Sequence, residues 1–224
     1  LFTVKHAFKT SKVGHTGTLD SFAAGLLVVC VGSLTRLAGR ITEFGKTYRA
    51  VIKFGEETDT LECTGNVVRT ALLPTEAQLA AAVKKYTGKI MQQPPTFSAI
   101  HIDGKRSSDL ARSGKSAEIP FRQVEVFSSE IQEIMFAGTS DSDSENDKKR
   151  VLACCIEFSV SKGTYIRSLA RDIAIECGSA GHLVGLLRTK VGNFCLEDAA
   201  GFSDLEEFNI ENAFIAAEKT RRIE

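Results

Sequence analysis

The residues best suited to chemistry in this chain lie in "KVGHTGTLDSFAAG", residues 12–25, where His15 and Asp20 share a Gly- and Thr-rich turn ahead of an apolar run. Asp20 before "SFAAG" is placed to cap a one-turn helix. A carboxylate at the edge of a hydrophobic segment can also act as a nucleophile, provided that a cation stabilises its charged form. The small residues before it leave backbone open to close approach by a ligand. Tyr48 in "KTYRA" and Tyr165 and Arg167 in "GTYIR" stand near the starts of predicted elements, where site residues tend to lie. They offer an aromatic platform and a fixed cation for an anionic nucleophile.

Other chemistries lack their motifs. "GRITEFGKTY" imitates a phosphate-binding loop, but the required first glycine falls on Arg40, and a helix precedes where a strand is needed. Gly14, Gly17 and Gly25 do not make a dinucleotide fingerprint. Cys30, Cys63, Cys154, Cys155, Cys177 and Cys195 form no C-x-x-C pair, so buried thiols are expected and no metal site. The acids of "EETDTLECTGN" lack the calcium-loop spacing and read as a solvated connection. His6 and His182 read as histidines on helix faces.

The elements that must position these residues follow from periodicity. "LLVVCVG" reads as a buried strand, and Ser33 as the N-cap of a helix over "LTRLAGRITEF". "TYRAVIKFG" alternates as a strand with one apolar face, and "VLACCIEFSV" as a half-buried one. "TEAQLAAAVKKYTG" opens with a capping box, Thr75 to Gln78, stops at Gly88 and buries Leu79, Val83 and Tyr86. "TYIRSLARDIAIECG" is an amphipathic helix with Ile166, Leu169, Ile173 and Cys177 facing inward. Ser179 is expected to cap a short helix through Leu187, with "TKVGNF" an edge strand. Irregular interleaving of strands and helices predicts an α/β (α+β) domain around a mixed, largely antiparallel sheet flanked by helices.

Length and composition suit one such domain: 224 residues, 43% apolar and 25% charged. No apolar run is long enough to span a bilayer and no signal peptide is evident, so a cytoplasmic setting is expected. Formal net charge is zero, yet residues 1–53 carry eight Lys or Arg against two acids, while residues 197–212 carry six acids and no Lys or Arg. One basic face could therefore meet a polyanion.

Five blocks, "KVGHTGTLDSFAAGLLVVCVGSLTRL", "KTYRAVIKFGEETDTLECTGNVV", "QQPPTFSAIHIDGKR", "SKGTYIRSLARDI" and "LLRTKVGNF", resemble in order the TruB family of tRNA pseudouridine synthases, from Lys12 to Phe194. Guide-RNA-dependent relatives that modify ribosomal RNA share the first block, whereas "FGEETDTLECTGNVV" looks like the stand-alone bacterial-type enzymes.

The resemblance implies the pseudouridine synthase fold and isomerisation of the T-loop uridine at position 55 of tRNA. In that reaction a uracil leaves its stack, its N–C glycosidic bond breaks, and the ring rotates and rejoins through carbon. No metal or cofactor is needed. Asp20 would attack the uridine, Tyr48 would stack on the flipped base near the departing proton, and Arg167 would pair with Asp20. His15 would fill the vacated place in the T-loop, while Tyr165 and Leu186 would line the pocket. Lys46, Lys105 and Arg106 would meet the RNA, the last two in a basic excursion over about 93–119 that matches the family's thumb.

The implied organisation is a catalytic domain over 1–196, with a disordered loop over about 137–149. An acidic tail over 197–224 would follow, with no complete C-terminal RNA-binding domain. The chain departs from the family in lacking its usual opening strand, in having His101 for a Lys, and in reducing the paired arginines of the last block to Arg188. The expected partner is the tRNA T-arm, met by a monomer without a membrane. A non-catalytic RNA-binding or tRNA-folding module of the same fold, or a related synthase acting on other RNA, is the alternative.

Overall fold

A computed structural model describes residues 1–98, 101–102, 105–107, 119–138, 150–201 and 208–221. At its centre are three strands: β4 (Lys46–Phe54), β11 (Val151–Val160) and β12 (Gly181–Val191). Beyond β11 lie β10 (Arg122–Phe136) and β7 (Gly88–Gln92); beyond β12 lies β13 (Phe194–Cys195). The order β13-β12-β4-β11-β10-β7 is antiparallel throughout, and the two-residue strand β2 (Ala24–Gly25) joins β12 in parallel. Three two-stranded sheets pair β1 (Val13–His15) with β3 (Val29–Val31), β5 (Glu56–Thr58) with β6 (Val67–Thr70), and β8 (His101–Ile102) with β9 (Lys105–Arg106).

Both faces of the sheet are covered, which the expectation of one apolar face per strand did not foresee. Along β4, Ala50, Ile52 and Phe54 join the core beneath α3 (Glu76–Lys85) and α4 (Ile166–Glu176), whereas Val51 points the other way. Along β11, Cys154, Ile156 and Phe158 face the first core, Ala153 and Cys155 the second. The second core is closed by α5 (Ile210–Arg221), whose Ile210, Ala213 and Ala217 are buried. The expected acidic tail is thus in part a helix seated on the sheet. A Cβ on Gly185 would stand 2.8 Å from that of Ala213, so β12 meets α5 where its side chain is smallest. Each well-buried aliphatic side chain in these layers contributes about 1.5–3 kcal/mol.

Local signals that held are those written in side-chain chemistry. Thr75 caps α3 with the reciprocal Gln78 bond, and Gly178 adopts φ +71° just past α4. Leu79, Val83, Ile166, Leu169, Ile173 and Cys177 are buried as expected, with Tyr86 packed partly against them.

Four expectations are corrected. Residues 179–187 form no helix: β12 runs unbroken through them, every residue from Gly181 to Arg188 is buried, and a strand covered on both faces has the continuous apolar pattern of a buried helix. His182 is therefore a strand residue whose Nδ1 lies 2.8 Å from the Glu56 carbonyl, while His6 is exposed on α1 (Phe2–Ala7). Ser33 caps nothing; it lies inside the 3-10 turn Gly32–Leu37, which runs into α2 (Ala38–Thr42). Finally, Leu26 and Leu27 lie outside β3, and Leu27 is exposed.

The loop expected over 137–149 falls almost wholly outside the described residues, as does most of the basic excursion. Five cysteines are buried and Cys195 is intermediate, all free. Among the described residues no His, Cys, Asp and Glu side chains gather as a metal site, and no helix is long and apolar enough to cross a membrane.

Candidate active site

Asp20 does not cap a helix. Its carbonyl accepts from the Ala23 N–H in a tight turn, and the chain then extends into β2 against β12. This frees its side chain, 34% exposed, to meet Arg167: Oδ1 lies 2.9 Å from Nη2. Arg167 is the second residue of α4, behind the N-cap Tyr165. A guanidinium buried at a helix N-terminus, the positive end of the dipole, needs strong compensation. Nη2 also donates to the Phe97 carbonyl at 2.9 Å, and Nη1 donates to the Thr60 carbonyl at 3.0 Å and lies 3.8 Å from Glu62 Oε2.

The acidic connection is consequently not a solvated loop. Leu61, Glu62 and Cys63 are buried, and Glu62 bridges to Leu183 of β12. Its role was illegible in sequence, where the acids carry no spacing that separates one turned inward from one in water.

Asp20, Arg167, Tyr48 and Tyr165 open onto one cavity of about 820 Å³, within the size range of ligand sites. Tyr48 packs against the core, and burial pushes its hydroxyl pKa up. The Arg188 guanidinium beside it pulls down by charge and hydrogen bonding, and Asp20 adds a smaller push upward. Tyr165 is held from two sides. The Gln92 side chain accepts from its N–H at 2.8 Å and donates to its carbonyl at 3.1 Å. The Arg122 guanidinium lies 4.8 Å from its ring centroid and donates to the Gly163 carbonyl.

Lys46 also lines the cavity, with Nζ donating to the carbonyls of Thr42 at 2.6 Å and Phe44 at 2.7 Å. Burial, then the Arg188 charge, lowers its pKa. At the rim, Lys162 pairs with Glu43.

Two expected residues stand elsewhere. His15 is exposed on β1 and does not line the cavity. Leu186 packs in the core opposite Ala50, two residues along β12 from Arg188. Lys105 and Arg106 form the backbone of β9, but their side chains lie outside the described residues. Sequence reasoning singled out neither Arg122 nor Arg188 as a site residue, and both line the cavity. The signal for Arg188 was a charged residue inside an apolar run, "HLVGLLRT".

Comparison with known proteins bears on the family of the chain. The family model described as TruB family pseudouridylate synthase (N terminal domain) matches residues 5–166. A protein of Treponema denticola named tRNA pseudouridine synthase B is 47% identical over an alignment spanning 96% of this chain and 62% of that protein. One of the same name from Borreliella burgdorferi is 41% identical over 94% of this chain and 70% of its own length. The chain thus spans under two thirds of the Treponema relative. Among solved structures, one titled as a Cbf5-Nop10-Gar1 complex superposes with a TM-score of 0.60 at 25% identity, covering 96% of this chain and 54% of that one. Likeness in sequence across most of the chain, together with likeness in fold, shows that the chain belongs to the TruB family of pseudouridylate synthases.

Proposed function

We propose that this chain isomerises uridine to pseudouridine in the T-loop of tRNA, at position 55, with Asp20 as the nucleophile. The observation that carries the reading is the Asp20–Arg167 pair at the cavity, Oδ1 to Nη2 at 2.9 Å, with Tyr48 close enough for the carboxylate to influence its hydroxyl. Binding alone requires no carboxylate aimed into a cavity and backed by a buried cation.

The net chemistry breaks the N1–C1′ bond and makes C5–C1′; the C5 hydrogen leaves as a proton and N1 gains one. Extracting the base from its stack costs a few kcal/mol, offset by aromatic and apolar surface that receives it. Tyr48 and Tyr165 supply that surface here. Arg167 holds Oδ1, and among the described residues the other carboxylate oxygen makes no hydrogen bond, so it is the one free to attack. Because Arg167 is itself fixed by two backbone carbonyls and Glu62, the carboxylate meets the base at a set angle, which is where much of the rate advantage of a bound pair arises. Tyr48 would stand near the C5 proton of the base received there. A tyrosine is a neutral phenol at neutral pH and burial disfavours its ionised form further, so it acts through its surface and hydrogen bonding rather than as a standing phenolate. His15, exposed beside the catalytic loop, and the cations Lys46, Lys105 and Arg106 would face the RNA around the opened site.

Release of tritium from tRNA labelled at uracil C5 tests the reading. Wild-type chain should release it, and Asp20→Asn should release none while still binding tRNA. Release by the variant at the wild-type rate would defeat the assignment. A wild-type chain that binds tRNA but releases nothing would indicate the non-catalytic module.

A further inference from the structure

Arg188 has the largest side chain among the fully buried residues, with 1% exposure, on a central strand. A guanidinium stays charged and carries five N–H donors, so its burial is costly unless those donors are used. Arg167, the other buried arginine at the cavity, meets two carboxylates. Among the described residues no carboxylate pairs with Arg188, whose partners are the Tyr48 hydroxyl and backbone carbonyls at the two ends of one loop. Nε donates to Leu26 O at 2.7 Å and Nη2 to Gly17 O at 3.3 Å.

Its own backbone closes the same loop. The Leu26 N–H donates to Arg188 O at 2.8 Å, and Gly25 pairs with Arg188 across β2 and β12. The approach is so close that a Cβ on Gly25, at φ +108°, would stand 2.4 Å from Arg188 O. Between these ties lies Asp20. Across the sheet, the residue opposite Arg188 is Tyr48, and both side chains line the cavity. A single-point cation such as lysine reaches two carbonyls less well than a planar fork does. The two arginines thus hold different parts of the site: Arg167 holds the Asp20 carboxylate, and Arg188 holds the ends of the loop that carries it.

We propose that Arg188 is the positioning residue of this site: it fastens both ends of the loop that carries Asp20 and seats the Tyr48 hydroxyl beside it, so that the two face the cavity in one fixed arrangement. The proposal rests on the cavity being an isomerase site, and its test separates the two ideas.

Arg188→Met and Arg188→Lys are made alone and with Tyr48→Phe. Three quantities are read on full-length chain: the single-turnover rate on C5-tritiated T-arm RNA, the Kd for that RNA, and tyrosine ionisation by absorbance against pH, with Tyr48→Phe identifying the Tyr48 signal. Arg188→Met should slow turnover about 100-fold, the effect of a misplacement of about 1 Å, with Kd within about threefold of wild type. Arg188→Lys should recover part of the rate. Tyr48→Phe should cost less in the Arg188→Met background than in wild type. Tyr48 should ionise at higher pH in Arg188→Met, since the guanidinium pulls its pKa down.

Wild-type turnover in Arg188→Met, or a Tyr48 signal unmoved by it, would overturn the proposal. If Arg188→Met does not fold, Arg188→Lys decides: a slowed rate at unchanged Kd supports the proposal, and a wild-type rate with unmoved titration overturns it. The titration needs no turnover. A wild-type chain inactive on tRNA would end the isomerase reading, while the Tyr48 shift would still decide whether Arg188 seats the phenol.

Discussion

The pair of strands β4 and β12 is built to opposite rules at its two ends. At one end Ile52 lies opposite Leu183 and Phe54 opposite Gly181, in a core of aliphatic and aromatic side chains. At the other, Tyr48 lies opposite Arg188 and Lys46 opposite Val191, and the chain opens onto the cavity. Burial does not distinguish them, for Leu183 is 0% exposed and Arg188 1%. What differs is how burial is sustained. The apolar end is held by contact and hydrophobic transfer alone. The polar end needs hydrogen-bond acceptors for the donors it hides: Arg188 finds them on the distant carbonyls of Leu26 and Gly17, and Lys46 on those of Thr42 and Phe44. A rigid apolar half thus carries a polar half whose geometry is set by segments far apart in sequence.

Substitutions can break this contrast in graded steps. Asp20→Asn at the polar end should have the largest effect on turnover, lowering it by roughly 10⁴-fold or more, with a lower denaturation midpoint as buried Arg167 loses a compensating charge. Next is Leu169→Ala beneath the apolar end, where the side chain is fully buried in the first core. It should cost about 2–5 kcal/mol in urea unfolding, with turnover per folded molecule preserved. A large loss of turnover in folded Leu169→Ala would show that the two ends are not separable. The smallest effect belongs to Thr75→Ala, which removes the reciprocal cap of α3 far from the cavity. It should cost about 1 kcal/mol and leave activity untouched.

The same contrast explains what could be read from sequence. The capping box of α3 and the inward stripe of α4 were legible because each is written in neighbouring residues. The α/β class and antiparallel sheet followed from their interleaving with strands. β12 was misread because "HLVGLL" carries no period, and a strand sandwiched between α4 and α5 looks locally like a buried helix. The seat of α5 was hidden for a related reason: the acids of residues 197–212 drew attention from the Ile210, Ala213 and Ala217 stripe that holds it down.

At the site, Asp20, Tyr48, Tyr165 and Arg167 were chosen by residue type and family likeness, and the structure brings them to one cavity. Glu62, Arg122 and Arg188 were not chosen, because their roles arise only when distant segments meet, from Arg122 with Gly163 at a separation of 41 to Arg188 with Gly17 at 171. Leu186 was assigned to the wall but lies in the core, two residues along β12 from the cavity-lining Arg188. A strand's alternation tells which face a residue takes, not how far along the strand the cavity extends.

The central claim is that the carboxylate of Asp20 meets a uridine drawn out of folded RNA. A crystal structure of Asp20→Asn bound to a T-arm stem–loop tests it most directly. The account predicts the target uridine out of its stack and against Tyr48, with the side chain of residue 20 about 3–3.5 Å from the reacting ring or sugar atoms. A target base still stacked in the RNA, or seated in the cavity with residue 20 turned away from it, would contradict the account.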